Sequence, residues 1–181
     1  MQLARGDMWS VLPDLGPRDL FCVTTNAEVR PRDGALVMGR GIALQAAQRF
    51  PGLQQEAGRR IAEHLELRKG CGKHERFYGL LIIPPGIVPG LDFHLGLFQV
   101  KWHWREQADL RLIERSVARL YFAVSAPPSG VTPRGGRSSP WAGAAVHLNM
   151  PGTGNGRLDR EAVLPLLRPL PDTVTVWEFP A

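Results

Sequence analysis

The sequence predicts an α/β domain of three layers, in which a mixed, mostly parallel sheet lies between helices. Short apolar and β-branched runs alternate with segments of helical periodicity, and this alternation is typical of layered α/β domains rather than sandwiches. The chain has 181 residues, which is enough for one hydrophobic core and few for two. It contains no internal repeat. We therefore expect a single domain over residues 1–181.

Five segments have the length and the composition of strands. They are Leu20 to Thr25, Tyr78 to Ile83, His94 to Val100, Ala145 to Asn149 and Thr173 to Trp177. The turn-rich stretch PPGIVPGLDF lies between the second and the third of them and indicates a hairpin-like, antiparallel pairing. For this reason the sheet is predicted to be mixed.

Four segments carry apolar residues at helical spacing, and they are Ile42 to Phe50, Gly52 to Leu67, Asp109 to Phe122 and Asp159 to Arg168. Asp109 is suited to cap the third helix. Pro165 removes a backbone donor inside the fourth, so we expect a kink or a short helix there.

Charge and composition limit the class of protein. The net charge of +5 and the pI of about 9.9 favour anionic partners such as nucleotides or nucleic acid, although a solvated basic surface explains the same balance. No apolar run is long enough to span a membrane, and the N-terminus lacks the pattern of a signal peptide, so we expect a cytoplasmic protein. Cys22 and Cys71 have no metal-binding spacing, and we predict neither a disulfide nor a metal site.

The segment SAPPSGVTPRGGRSSP, residues 125–140, differs in composition from the rest of the chain. Eleven of its 16 residues are Pro, Gly or Ser, interrupted by Arg134 and Arg137. We interpret it as an exposed loop, with a basic arm that contacts a polyanion as the alternative.

Two glycine-rich turns each follow a strand and lead into a helix. The first is Met38-Gly39-Arg40-Gly41, and the second, MPGTGNGR, holds Gly152, Gly154 and Gly156. Glycines let backbone N–H groups approach a ligand closely, and the start of a helix adds unpaired donors and a positive dipole end. A P-loop is excluded, and a dinucleotide fingerprint fits poorly, because no Gly-Lys-Ser/Thr follows the first turn and Leu44 occupies the third glycine position. The turns are predicted to hold a diphosphate between them, or else to be tight loops without a ligand.

Asn26 follows the strand at residues 20–25 directly. Its side chain is placed either to bond a ribose hydroxyl or to form a turn.

Taken together, these segments resemble the macrodomains, the ADP-ribose-binding fold, over about residues 1 to 179. The motif RGDM at residues 5–8 resembles the Gly-Asp-Ile-Thr start of that family, and VMGRGIALQ is followed by Phe50-Pro51 as in its relatives. The segment FQVKWHWRE, residues 98–106, is similar to their Phe-x-Thr-Lys-x-His-Trp-Arg motif, with Val100 in place of Thr. The most similar branch contains the DNA ADP-ribosyl glycohydrolases of the DarG antitoxin type and the terminal ADP-ribose protein glycohydrolase.

The resemblance implies a set of site residues. Lys101 would be catalytic, as a nucleophile that forms a Schiff base, as a fixed charge or as a proton donor, and Asn26 would act beside it at the distal ribose. Asp7 would recognise adenine. The residues implied to bind ADP-ribose are Asp7, Met8, Thr25, Met38, Gly39, Arg40, Gly41, Ile42, Ala43, Gly152, Thr153, Gly154, Asn155, Gly156 and Arg157.

One position separates two activities within that branch. The protein-directed glycohydrolase carries a catalytic aspartate in the second glycine loop, where this chain has Gly156, and Asp159 nearby is placed as a helix cap. The DNA-directed relatives also have glycine there. The resemblance therefore favours hydrolytic removal of ADP-ribose from thymidine in single-stranded DNA, with a cognate ADP-ribosyltransferase toxin as a partner. It implies no cofactor, and we expect a monomer.

The aromatic residues that follow Lys101 are further candidates for contacts with a base. Strand alternation predicts that Lys101 and His103 share one face and that Trp102 and Trp104 share the other. Phe179 is placed to stack on adenine or to join the core.

Three rival functions remain open. The first is a non-catalytic ADP-ribose-binding module, for which Lys101 would point away from the cleft. The second is an enzyme of the same fold that acts on protein-linked ADP-ribose or ADP-ribose 1″-phosphate. The third is a nucleic-acid-binding protein without an ADP-ribose function.

Overall fold

Six strands form one sheet in the computed structural model, which describes residues 1–66, 76–125 and 139–179. In chain order they are β1 (Gln2–Arg5), β2 (Leu20–Thr25), β3 (Leu80–Ile83), β4 (His94–Gln99), β5 (Val146–Asn149) and β6 (Val174–Glu178). Their order across the sheet is β1-β6-β5-β2-β4-β3. All neighbouring pairs are parallel except β3 and β4, which are antiparallel. The prediction of a mixed, mostly parallel sheet is therefore confirmed.

Four α-helices and one 3₁₀ helix accompany the sheet in the described part of the chain. They are the 3₁₀ helix Met8–Asp14, α1 (Gly41–Arg49), α2 (Leu53–Glu66), α3 (Leu110–Val124) and α4 (Arg160–Leu167). The Asp109 side chain caps α3 by accepting bonds from the backbone N–H groups of Arg111 and Leu112 at 2.8 and 3.2 Å. The helix α4 is only eight residues long and ends two residues after Pro165, as the sequence predicts for its interior proline.

The helices cover both faces of the sheet. One core cluster joins Phe21 and Val23 of β2 to residues of α1 and α2, and the other joins Leu20 and Cys22 of β2 to residues of α3 and α4. Adjacent residues of a strand point to opposite faces, so β2 contributes to both clusters and lies at the centre of three layers. Cys22 is a free, fully buried thiol, and burial raises its pKa to about 12.

Some predicted features lie outside the described residues. Cys71 and positions 126–138 of the predicted exposed loop are among them. Within the described residues, no helix is both long enough and apolar enough to span a bilayer.

Candidate functional site

A cleft of about 1020 Å³ lies where the parallel strands end. Its walls come from the ends of β2 and β5 and from the segments that follow β4, β5 and β6 and precede α1. Ligands of α/β sheets bind at this edge, and the volume is at the upper end of the range for small-molecule sites. The position and the size of the cleft suit an extended ligand of nucleotide size or larger.

The first glycine turn leaves its backbone open to the cleft. No heavy atom lies within 4 Å of the position that a Cβ would take at Gly39. Arg40 is the N-cap residue of α1 but makes no side-chain capping bond, and the first turn of α1 contains no acidic residue. The N–H groups at the start of α1 therefore remain available to an anion.

The second glycine loop is folded back on itself. Gly152 has a φ of +73°, and a Cβ there would lie 2.8 Å from the side chains of Ile113 and Leu158. A Cβ at Gly156 would lie 2.6 Å from the Gly152 Cα and even closer to its carbonyl group. Arg157 closes the loop with a φ of +59°, and its N–H donates to the carbonyl oxygen of Thr153 at 2.8 Å. Sterically, neither glycine admits a side chain without movement of this loop.

The two glycine loops meet across the cleft. Gly41 has a φ of +58°, and a Cβ there would lie 2.9 Å from the Nδ2 atom of Asn155. On the other side of Asn155, the Lys101 ammonium donates to the Asn155 carbonyl oxygen at 2.6 Å. Asn155 is thus the meeting point of both loops and the lysine, with its side-chain amide against Gly41 and its backbone carbonyl on Lys101.

Lys101 is the buried cation of the cleft and only 9% exposed. Burial lowers the pKa of its ammonium group, the nearby cations of Arg157 and Arg40 lower it further, and the Glu106 carboxylate opposes them. Each cause except the last favours the neutral amine. The sequence predicted Lys101 as a site residue, but its closeness to these two arginines is seen only in the folded chain.

A buried glutamine fixes the segment that carries Lys101. Gln99, the last residue of β4, is fully buried, and its side-chain oxygen accepts bonds from the N–H groups of Tyr78 and Gly79 at 3.0 and 3.1 Å. The Ser116 hydroxyl of α3 donates to the Gln99 carbonyl oxygen at 2.8 Å. These bonds hold the end of β4, so Lys101 projects from a rigid support.

The predicted strand alternation beyond Lys101 is wrong, because β4 already ends at Gln99. The chain turns here, and Lys101 and Trp104 line the same cleft. The Trp102 indole N–H instead donates to the Asp109 carboxylate at 3.2 Å. Trp104 is 38% exposed, with the Arg105 guanidinium carbon 4.7 Å from its ring centroid.

The side-chain amide of Asn26 stabilises the turn that follows β2. Its Nδ2 donates to the Val37 carbonyl oxygen at 2.7 Å, and its Oδ1 accepts from the Glu28 N–H at 2.8 Å. Asn26 also lines the cleft, as does Thr25 before it, whose hydroxyl oxygen lies 2.6 Å from the Tyr78 phenol oxygen. The turn-forming interpretation describes the bonds of Asn26, and its role at a ribose stays a prediction.

Asp7 and Phe179 line one end of the cleft, after β1 and β6 respectively. Asp7 is exposed and caps the 3₁₀ helix by accepting a bond from the Trp9 N–H at 3.0 Å. Phe179 is 76% exposed, so its ring is free to stack rather than part of the core. The role of Asp7 at adenine stays a prediction.

The predicted site residues, all of which are described, line the cleft with one exception. Met38 does not line it, because its side chain is 1% exposed and packs in the core cluster beside α1 and α2. Sequence reasoning missed Asn149 at the end of β5, which also lines the cleft and whose amide holds the backbone N–H and the hydroxyl of Thr24 at 2.9 Å each. A polar residue at the end of a central strand was the available signal. No group of metal-binding side chains occurs among the described residues.

No protein-family model and no curated protein matches the sequence. Solved structures do match it. The macrodomain of Thermus aquaticus DarG is 20% identical with a TM-score of 0.59, and 99% of this chain and 97% of that one are covered. The macrodomain of Mycobacterium tuberculosis DarG is 23% identical with a TM-score of 0.51 and the same coverage.

A third match is Thermosipho africanus DarTG in complex with ADP-ribose, which is 20% identical with a TM-score of 0.55. Here 99% of this chain corresponds to 42% of that longer one. All three alignments extend over nearly all of this chain and agree on one architecture. The chain therefore has the fold of a macrodomain of the DarG type.

Proposed function

We propose that the cleft binds ADP-ribose and that the protein hydrolytically releases ADP-ribose from a modified base in DNA, with thymidine in a single strand as the favoured substrate. The similarity to DarG macrodomains and to a DarTG structure that contains ADP-ribose supports the ligand. The reaction implies a partner, a transferase that attaches ADP-ribose to DNA.

The two glycine loops supply what a diphosphate needs. The open backbone at Gly39 and Gly154 and the uncapped start of α1 offer N–H donors from two sides. Arg40 and Arg157 line the same part of the cleft and add positive charge. Fixed backbone donors combined with cations bind phosphate groups well. The nucleoside ends would then lie toward Asp7 on one side and Lys101 on the other.

One observation carries the proposal of catalysis: Lys101 is buried within the cleft, beside two cations that lower its pKa. The ammonium lies 2.6 Å from the Asn155 carbonyl oxygen and so is held at the junction of the loops. A lysine with a lowered pKa and a fixed position is suited to nucleophilic or proton-transfer chemistry. This placement disfavours a module that only binds.

The proposed reaction balances as a hydrolysis. Neutral Nζ of Lys101 attacks C1″ of the distal ribose, and the Nζ–C1″ bond forms as the bond from C1″ to the base nitrogen breaks. The base leaves with that electron pair and takes up the proton lost from Nζ. The C1″–O4″ bond of the ribose then breaks as the remaining proton of Nζ moves to O4″, which gives a neutral Schiff base. Water adds to this Schiff base at C1″. Nζ then leaves, and free ADP-ribose and the lysine amine are restored.

Gly156 supports a nucleic-acid substrate over a glutamate ester. The aspartate of the protein-directed enzymes would stand at this position, but any Cβ here overlaps the backbone of Gly152. The loop is therefore shaped for glycine, and Asp159, three residues later, makes no capping bond as N-cap of α4. The chain has no carboxylate in the second loop to take the place of that aspartate.

The charges around Lys101 predict opposite shifts of the pH–rate profile. If the neutral amine attacks, the rate rises as the pH passes upward through the pKa of Lys101. Arg157→Gln removes a cation that lowers this pKa, so the midpoint moves to higher pH, and Glu106→Gln removes an anion that raises it, so the midpoint moves to lower pH. The measurement is kcat/KM against pH for both variants, with Arg168→Gln as a distant control. Midpoints that stay fixed, or that move together, contradict the proposed environment.

A panel of linkages tests the proposed substrate. The wild-type protein is incubated with a thymidine-ADP-ribosylated single-stranded oligonucleotide, a glutamate-ADP-ribosylated peptide and ADP-ribose 1″-phosphate, and released ADP-ribose is measured by chromatography. We expect rapid release from the oligonucleotide and at least about a hundredfold slower release from the other two. Binding of ADP-ribose without release from any of the three substrates would contradict the hydrolysis. The protein would then be a module that only binds ADP-ribose, and Lys101 would only hold the second glycine loop through Asn155.

A further inference from the structure

We propose a second binding surface, outside the cleft, for single-stranded nucleic acid. It is the outward side of α3, formed by Arg111, Arg115, Arg119 and Phe122, and is called here the α3 basic face. The surface binds the sugar-phosphate backbone through the arginines and a base through the phenylalanine. It would act on an unmodified strand and so goes beyond the proposed reaction.

Helical spacing places the four side chains on one side of α3. The arginines recur every fourth residue, and Phe122 follows Arg119 by three. Each interval of four residues advances the helix by about 6 Å, so the face extends over about 16 Å. Phe122 is 74% exposed, which is unusual for a large apolar side chain on a helix with so well-defined a buried side.

The arginines of this face lack acidic partners. Within the described residues no carboxylate lies within 4 Å of any of the three, whereas Arg59 and Arg60 of α2 are both paired with Glu56. Glu114, the sole acidic residue of α3, makes no ion pair with the described residues. Like charges four residues apart disfavour a helix, so the row of arginines carries a repulsion that no acidic partner among the described residues offsets. An anionic partner would offset the repulsion.

Two of the arginines are already oriented by stacking. The guanidinium carbons of Arg115 and Arg119 lie 3.8 and 5.9 Å from the ring centroid of Phe77. Stacking uses the face of the guanidinium and leaves its N–H edge for hydrogen bonds. These groups lose less conformational entropy when they bind phosphate than free surface arginines would.

The face begins at the edge of the cleft. The N–H of Asp109, the cap of α3, donates to the Val100 carbonyl oxygen at 3.0 Å, and the N–H of Ala108 donates to Gly156 at 2.9 Å. Both acceptors belong to residues that line the cleft. A strand with one nucleotide in the cleft can therefore continue along α3. The exposed phenylalanine favours nucleic acid over an acidic protein, because every base offers a ring for stacking.

The test is binding of an unmodified, fluorescein-labelled 15-mer of thymidine to the full chain, measured by fluorescence anisotropy over a series of salt concentrations. Arg111→Gln/Arg119→Gln is compared with Arg5→Gln/Arg18→Gln, which removes the same charge from exposed arginines near β1 and β2. We expect about tenfold weaker binding for the first pair at low salt. For the same pair we also expect the slope of log K against log salt to become shallower by about 1.4. Each lost phosphate contact contributes about 0.7 to this slope, and the pair removes two contacts.

A second comparison isolates the aromatic contact. Phe122→Ala is expected to weaken binding about fivefold, whereas Ile87→Ala, which removes another exposed apolar side chain, leaves it within twofold. Thermal melting confirms that each variant is folded.

Two results would overturn the proposal that the α3 basic face binds nucleic acid. One is an equal loss of oligonucleotide affinity in both pairs of arginine variants, and the other is no binding of the oligonucleotide by the wild type. Affinity for free ADP-ribose is expected to be unchanged in all four variants. A failure of this surface is thereby distinguished from a failure of the cleft.

Discussion

Lys101→Ala is expected to lower the single-turnover rate of ADP-ribose release from modified DNA by at least about a hundredfold, while ADP-ribose still binds. The reason is the position of the amine, which is the buried cation of the cleft and whose pKa is lowered by burial and by two arginines. Removal of the side chain deletes the bond to the Asn155 carbonyl oxygen, but the backbone bonds of Arg157 to Thr153 and Gly154 that close the second glycine loop remain. The measurement pairs the rate of release with the dissociation constant for ADP-ribose, and the latter is expected to change less than about threefold.

A conservative variant separates the possible roles of this lysine. Lys101→Arg keeps a positive charge but carries a guanidinium that is never neutral at ordinary pH, so it cannot attack C1″. We expect this variant to be as inactive as Lys101→Ala if the amine is a nucleophile, and to retain much of the rate if a fixed charge suffices. Full activity of Lys101→Ala would remove Lys101 from the mechanism altogether.

The second large effect is expected at Gly156. Gly156→Asp places a Cβ against the backbone of Gly152, so the second glycine loop must open. We expect the free energy of unfolding to fall by about 1–3 kcal/mol, and ADP-ribose affinity to fall at least about tenfold because the loop no longer presents its N–H groups. Urea unfolding and titration calorimetry measure the two changes.

Gly154 provides the matched control. A Cβ at this position has no heavy atom within 4 Å, and the loop does not need to move. Gly154→Ala is therefore expected to keep full stability, whereas Gly156→Ala already lowers it, and Gly154→Asp reports the effect of added negative charge alone. If Gly156→Asp instead folds normally and cleaves a glutamate-linked ADP-ribose ester, the steric account of this position is wrong.

Local patterns in the sequence were sufficient for the strands and helices that form the core. The run LFCVTT predicts β2 with its observed bounds, because apolar and β-branched residues fill a central strand buried on both faces. The edge strand β1, QLAR, was missed because it is short and mostly exposed, with no apolar run to mark it. The 3₁₀ helix at Met8–Asp14 was missed as well. It has only seven residues and contains Pro13, so it is too short to show a hydrophobic periodicity.

The sequence was sufficient to predict which residues line the site, but not how their side chains are arranged in it. Glycines followed by helices identify both loops, but Met38, at the start of the first loop, points into the core, a difference that spacing alone does not reveal. The direction of Trp104 depended on where β4 ends, and a propensity pattern fixes such boundaries poorly. The cations that lower the pKa of Lys101 come from both glycine loops, so only the folded chain brings them together.

Titration of the wild-type protein with free ADP-ribose tests the central claim most directly, because every part of the proposed function requires that the cleft bind this ligand. Calorimetry is expected to give one site per chain, with weaker binding of ADP, because ADP lacks the distal ribose that the proposed function places next to Lys101. Gly156→Ala should abolish or strongly weaken this binding, while Gly154→Ala should not. Absence of binding at millimolar ADP-ribose would contradict the account of the cleft, and with it the proposed hydrolysis.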